Sequence, residues 1–368
     1  MENITAEEAD VVPRHHRIII SVILMAITVT GIFGNTLTFI AYCLSRRLQT
    51  KTNMFVINLA AADILTCVCL PINTLALLLD VNVNTRSWLN TLCAVDYGGL
   101  GIFLTSSFMT LAFIAVNRYV LITKSTEAYR RIYRRKFTLI FISACWLFPT
   151  LTLTPQLVLG ILYIGYDETL HACSEGSNPR WQHLSDMILM IVFGLPTVAI
   201  IYSYGRIYLF LRRHNKQMQE GMLSEPSRFV LLYFLGRHRP KGDGRKVKAS
   251  PVSQNQVDIT KNLFYILVAF FICLIPFIIS DVLGANDIVF TYTKTLILFN
   301  SCINPILYGI KHPHFREVFY NILSRRWSEI PEPAFRWMNS RPSRSAVAGS
   351  KSKDLDAISM EVLEKSDA

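Results

Sequence analysis

The chain has 368 residues, 51% of them hydrophobic, a formal net charge of +11 and a mean hydropathy of +0.34. A soluble domain is about 45–50% apolar even with glycine counted. Here the excess falls in long blocks, which disfavours an ordinary soluble domain. The basic residues lie between those blocks, so a nucleic-acid partner is not indicated.

Residues 1–17 carry Glu2, Glu7, Glu8 and Asp10 and have no apolar core. No cleavable signal peptide is expected, and the first apolar block must target the chain. Seven blocks follow, at 18–44, 53–79, 92–123, 137–163, 185–211, 261–284 and 288–310. Each approaches or exceeds the roughly 20 residues that cross a bilayer as a helix. The third runs into Arg118, and the seventh is weakest, holding Lys294, Asn300 and Asn304. The predicted fold is all-α, a seven-transmembrane helix bundle over residues 18–325. Residues 212–258 read as a polar, flexible loop in which "RFVLLYF" could form a short amphipathic helix. Residues 326–368 read as a disordered, serine- and charge-rich tail, in which Ser328, Ser343, Ser345, Ser350 and Ser352 are either candidate phosphorylation sites or solvated linker serines. "HPHFREVFYNIL", residues 312–323, sets Phe315, Val318, Phe319 and Ile322 on one face, the pattern of a helix lying on the inner leaflet.

Charge sets the orientation. Arg46, Arg47 and Lys51 follow block one, Lys124 and the arginines at 130, 131, 134 and 135 follow block three, and a basic stretch follows block five. The alternate loops are acidic or mixed. The positive-inside rule then puts the N-terminus outside and the C-terminus in the cytoplasm. Asn3-Ile4-Thr5 is a glycosylation sequon on that outer side.

Polar groups within membrane segments are functional candidates. Asp63, Ser107, Asn300, Ser301 and Asn304 all lie inside blocks, and Asn300 and Asn304 share a helical face. They form either an interhelical hydrogen-bond network or an oxygen cage for a sodium ion. No catalytic constellation stands out, so an enzyme is disfavoured. The chain shows no internal repeat of the kind many transporters carry.

Signatures then recur one per span. Asn35 sits in "GNTL" and Asp63 in "NLAAADIL". Cys93 and Asn117-Arg118-Tyr119 follow, then Trp146, Cys173, Pro196 with Tyr204, Pro276 and Asn304-Pro305-Ile306-Leu307-Tyr308. Together they resemble a class A, rhodopsin-like G-protein-coupled receptor of the plasma membrane. "GLGIFL", "NRY", "GYDETLHAC" and "FNSCINPILYG" are most similar to melatonin receptors and related orphan receptors. The resemblance implies a Cys93–Cys173 disulfide, an extracellular ligand, and a heterotrimeric G protein, receptor kinases and arrestin as partners. It also implies a packing switch at Phe108, Pro196 and Phe270, and tyrosines, Tyr204 and Tyr308, that approach Arg118. No cofactor is expected beyond an allosteric sodium ion.

Departures bear on the ligand. Melatonin receptors have Pro-Asn where this chain has Pro155-Gln156, a histidine at Val192, and Cys-Trp-x-Pro where it has Cys273-Leu274-Ile275-Pro276. Leu100 replaces the aspartate of amine receptors, and Leu298 the retinal-binding lysine of opsins. The expected pocket comprises Asp96, Leu100, Gly101, Leu104, Gln156, Met190, Phe277, Asp281 and Lys294. Gly101 would leave room for a flat aromatic ligand. Lys294 is placed to pair with Asp96 or Asp281 or to receive an anionic ligand. A peptide or lipid ligand, or a pseudoreceptor without agonist control, are the alternatives, with a transporter behind them.

Overall fold

The computed structural model describes residues 12–79, 83–167, 170–234 and 254–335; for 83–85, 215–234 and 254–263 it describes the backbone alone. The sequon at Asn3, the acid Glu168 and the tail serines Ser343, Ser345, Ser350 and Ser352 lie outside the described residues.

Seven long helices run through the described residues: α1 (Arg14–Leu44), α2 (Lys51–Leu78), α3 (Val83–Thr123), α5 (Arg135–Val158), α6 (Gln182–Phe234), α7 (Gln254–Val282) and α8 (Asp287–Lys311). The short α4 (Thr126–Ile132) links α3 to α5, and α9 (Pro313–Leu323) follows α8. Six of the seven are long and apolar enough to cross a membrane by length and composition. The exception is α8, whose Lys294, Asn300 and Asn304 lower its hydropathy. The bundle around it shelters them, and Asn300 and Asn304 are 4% and 1% exposed. The outward faces are apolar instead, as at Val22, Phe33, Ile140, Val198 and Ile272. Such a surface suits hydrocarbon, where each helix satisfies its own backbone.

The central helix is α3, with 61% of its apolar stretch buried, against 17% for α5 and for α6. Gly34 lets α1 approach α8, because a Cβ there would lie 2.5 Å from Pro305 Cγ. At the other end, α5 stops short of the expected block. Gly160 (φ 64°) closes it, with Gly160 N donating to Leu157 O and Ile161 N to Gln156 O. That is a Schellman cap, which needs a left-handed residue. Beyond it, β1 (Leu162–Asp167) pairs antiparallel with β2 (Ala172–Ser177), Tyr166 opposite Cys173. The hairpin is tied to α3 by the Cys93–Cys173 disulfide.

Two expectations about the other end are corrected. The region read as a loop from 212 is helical to Phe234, and α7 begins at Gln254. "KQMQEGML" after His214 is rich in good helix formers, so α6 continues once polar residues replace apolar ones. Residues 326–335, read as disordered, are folded. Trp327–Glu329 form a 3-10 turn, and the strand-like stretch after it bridges Ser45 to Pro333. On α9 the predicted face is correct, but it packs into the bundle: Phe315 and Val318 are 0% and 1% exposed, and the Phe315 ring stacks on Tyr308 at 5.3 Å.

Candidate functional site

Four groups of side chains lie along the bundle. One centres on Asp63 of α2, which is 1% exposed. Its Oδ1 accepts from Ser107 Oγ at 3.0 Å and its Oδ2 from Asn304 Nδ2 at 2.8 Å, with Ser301 as a further donor. Asn35 Nδ2 donates to Ser301 O at 2.8 Å. Thus α2, α3 and α8 meet at one buried carboxylate, and α1 is joined to α8 beside it through Ser301 O. Asn35 Oδ1, Asn300 Oδ1 and Asn304 Oδ1 are buried and have no hydrogen-bond partner among the described residues. Unused buried carbonyl oxygens beside a carboxylate and hydroxyls are the donor set of a hard cation, so the residues fit a sodium ion.

At the level of Ser107, on the next residue of α3, lies an aromatic cluster. Phe108 stacks on Phe270 at 4.6 Å and meets Phe193 at 5.8 Å. Phe271 closes on Phe270 edge-on at 5.8 Å. Pro196 is buried one turn after Phe193. Phe193 and Phe271 were not singled out in the sequence, since a phenylalanine in an apolar block carries no signal of its own.

Next comes "NRY". Asn117 and Arg118 are 0% and 4% exposed. Thr52 Oγ1 donates to Asn117 Oδ1 at 2.8 Å, and Asn117 Nδ2 donates to Tyr129 OH at 3.4 Å. The Arg118 guanidinium interacts electrostatically with the phenols of Tyr204, Tyr129 and Tyr308. The hydroxyls of Tyr204 and Tyr308 are buried without a hydrogen-bond partner among the described residues. Tyr119 instead sits edge-on against Tyr202 at 5.8 Å. Thr52 was missed by sequence reading; it lies in an ordinary helix start. The side chains of Gln256, the neutral residue twenty positions before Pro276, and of Asp258 nearby lie outside the described residues. His312 joins α8 to α9 close by, its Nδ1 accepting from Phe315 N at 3.5 Å. Burial, with Arg118 and His314 adding, pushes its pKa down to about 3.

At the hairpin end the predicted pocket set divides. A cavity lies between α1, α2 and α8 under β2, lined by Ile20, Leu24, Asn73, Leu77, Cys173, Phe290, Lys294 and Leu298 among others. Among the described residues Lys294 is the one charged side chain lining it, and the carboxylates of Glu175 and Asp167 act on it electrostatically. Its Nζ donates to Cys173 O at 3.2 Å and stands 4.2 Å from the Tyr97 ring centre. The alternative in which it pairs with Asp96 or Asp281 is not what the structure shows. Asp96 accepts from Asn73 instead, and Asp281 is exposed at the end of α7. Leu100 and Leu104 pack with Leu298 beneath the cavity. Phe277 touches the cavity wall through Phe290, ring centres 5.5 Å apart.

Three residues of that set lie elsewhere. Met190 is 73% exposed on the outer face of α6, whereas Val192 is 7% exposed; two positions on a helix turn a side chain through about 200°. The space beside Gly101 is taken by Leu153, whose Cδ2 would be 3.2 Å from an added Cβ. Gln156 is held between α5 and α6, donating to Thr152 O and accepting from Ser185 Oγ. Ile20, Leu24, Asn73 and Tyr97 were missed; only Asn73 carried a polar signal.

The chain matches the family "7 transmembrane receptor (rhodopsin family)" over residues 34–308. It is 25% identical over 356 residues to melatonin receptor type 1B-B of Danio rerio, covering 92% of this chain and 90% of that protein. It is 26% identical over 347 residues to G-protein coupled receptor moody of Drosophila melanogaster, covering 82% of this chain and 51% of that one. The chain therefore spans about half the length of that relative. The fold is similar to that of squid rhodopsin, with a TM-score of 0.70 at 20% identity, covering 90% of this chain and 91% of that one. The apolar helices and this match make it a multi-pass membrane protein, and the chain belongs to the rhodopsin family of seven-transmembrane receptors.

Proposed function

We propose that the protein is a plasma-membrane G-protein-coupled receptor with the hairpin end outside and the α9 end in the cytoplasm. The observation that carries this is Arg118. Its side chain is 4% exposed, within electrostatic reach of Tyr204, Tyr129 and Tyr308 at the end flanked by the basic loops, so the helices around it must rearrange to offer it to a partner. The aromatic cluster of Phe108, Phe193, Phe270 and Phe271 links α3, α6 and α7 above it. A ligand acts by favouring one packing of these helices over another, to the extent of its differential affinity.

The sodium site belongs to the same reading. Asp63, Ser107, Asn300, Ser301 and Asn304 would hold the ion, which would neutralise the carboxylate and tie α2, α3 and α8 in the inactive arrangement. The cavity chemistry favours a ligand with an apolar body and an acceptor or anionic group for Lys294. A flat, melatonin-like ligand finds less support, because Leu153 fills the space beside Gly101. A salt-bridged amine is disfavoured by Leu100.

The test is nucleotide exchange on heterotrimeric G proteins reconstituted with the receptor in lipid nanodiscs, using a panel of carboxylate amphiphiles and indoles. Stimulation by a carboxylate, lost in Lys294→Gln, supports the reading. Exchange at the level of empty nanodiscs under every condition overturns it in favour of a pseudoreceptor.

A further inference from the structure

Residues 130–136 read Arg-Arg-Ile-Tyr-Arg-Arg-Lys, five cations in seven positions. They join the end of α4 to the first turn of α5. All five are exposed, and among the described residues none has an ion-pair partner. Lys136 lies over the Phe137 ring, 5.3 Å from its centre. The one acid of α4 is Glu127, in its first turn. The turn is firmly placed, because Tyr133 in its middle is 1% exposed. Its ring stacks on Tyr129 at 5.0 Å and meets Phe55 and Phe141 edge-on at 6.4 and 6.0 Å. The cations have apolar company at the surface. Ile132 and Phe137 are exposed among them, and Leu139 and Ile140 carry the exposed apolar face on along α5. This face suits hydrocarbon, so the cations stand at the depth of lipid headgroups.

We propose that this turn is a docking site for membrane lipids whose headgroups carry more than one phosphate, and that an occupied site holds α4 in place. Clusters of Lys and Arg beside a membrane helix attract such headgroups, and a guanidinium grips a phosphate through two parallel donors. A headgroup with a single charge leaves most of the five cations unanswered. A soluble acidic partner supplies charge alone, whereas a lipid brings phosphate to the cations and acyl chain to Ile132, Phe137 and Ile140 together. The same helix touches the neighbour of Arg118. Asn117 Nδ2 donates to Tyr129 OH at 3.4 Å, while Arg131, two positions on, is turned about 200° away. Seven residues are too few for a helix to persist alone, and Arg130, Arg131, Arg134 and Arg135 repel one another. A polyanion replaces that repulsion with attraction, so it steadies α4 and with it the contact of Tyr129 to Asn117. The lipid is that of the inner leaflet, so the site rests on the orientation proposed above. The measurement needs neither ligand nor G protein, so its failure leaves the receptor reading standing.

The experiment places purified full-length receptor in phosphatidylcholine nanodiscs doped with phosphatidylinositol bisphosphate, or with phosphatidylserine at matched total charge. Lipid held by the receptor is read by native mass spectrometry, and hydrogen exchange is followed over residues 126–136. The wild type should hold the bisphosphate lipid about tenfold or more over phosphatidylserine, and exchange over α4 should slow when it is present. Arg130→Gln with Arg131→Gln, and Arg134→Gln with Arg135→Gln, should each lower that preference about tenfold. All four side chains are exposed, so Tyr133 and its packing stay intact. Arg212→Gln with Arg213→Gln removes the same charge from an exposed part of α6 and should leave the preference unchanged. An equal loss in this control makes the attraction one of general surface charge and overturns the site. Equal retention of the two lipids overturns the multiply phosphorylated headgroup as its occupant. Bound lipid with unchanged exchange over α4 overturns the hold on that helix.

Discussion

Thr52 Oγ1 donates a 2.8 Å hydrogen bond to Asn117 Oδ1, so the amide beside Arg118 is held by α2. An aspartate at 117 would accept the same bond and add a negative charge next to the guanidinium. A hydrogen bond to a charged group contributes about 1.5–3 kcal/mol, and a bias of 1.4 kcal/mol shifts a two-state population about tenfold. Asn117→Asp is therefore expected to lower basal nucleotide exchange, with surface expression matched. Thr52→Val should lower the thermal unfolding midpoint, because it leaves a buried acceptor unpaired at a cost of about 1–3 kcal/mol. Basal exchange at the empty-nanodisc level, unmoved by Asn117→Asp, would leave asparagine as an ordinary variant at this position.

Sodium dependence is expected to run through Asp63. With the ion bound, the carboxylate that accepts from Ser107 and Asn304 is neutralised and the α2–α3–α8 contact is tightened. Raising sodium at constant ionic strength should lower basal exchange in the wild type and have no effect in Asp63→Asn. An equal response in that variant would move the ion elsewhere. Constant ionic strength matters because general screening acts on every exposed charge.

How much of this was legible differs residue by residue. Asp63, Ser107, Ser301 and Asn304 stood out because a polar side chain within an apolar block must find partners, and the only ones available lie on other helices. Phe315, Val318, Phe319 and Ile322 were legible from their spacing. Met190 was not, since lipid is as apolar as the core and an outward methionine leaves no amphipathic trace. Leu153 opposite Gly101 depends on how α5 leans on α3, which neither helix encodes alone. The stretch after α9 was the largest omission. "PEP" between charged residues reads as linker, and its order comes from backbone bonds of Glu332 and Ala334 to Arg46 and Leu44, at the far end of the sequence.

The ligand pocket can be separated from α3–α5 packing by two substitutions. Gly101→Leu should lower stability, since even a Cβ there would approach Leu153 Cδ2 to 3.2 Å and overpacking costs about 1–3 kcal/mol. Its effect on ligand potency in correctly folded protein should be small. Lys294→Gln keeps a donor for Cys173 O but removes the charge, and should lower the potency of a carboxylate ligand about tenfold or more. The reverse ranking, with Gly101→Leu abolishing binding in a receptor of normal stability, would return the ligand to the α3–α5 seam.

Acid sensitivity is expected at the α8–α9 junction. His312 is 4% exposed, and burial, Arg118 and His314 lower its pKa from 6.5 to about 3. Between those values the unfolded chain binds a proton on this ring that the folded chain refuses. The contribution is therefore fully present above about pH 6.5 and is lost as the pH falls below it, by up to about 1.4 kcal/mol per pH unit. His312→Asn preserves a side-chain acceptor for the start of α9 and does not titrate. In detergent micelles the wild-type unfolding midpoint should drop between pH 7.5 and pH 5, and the variant should drop less. Parallel curves for the two proteins would show that the acid sensitivity lies in other groups.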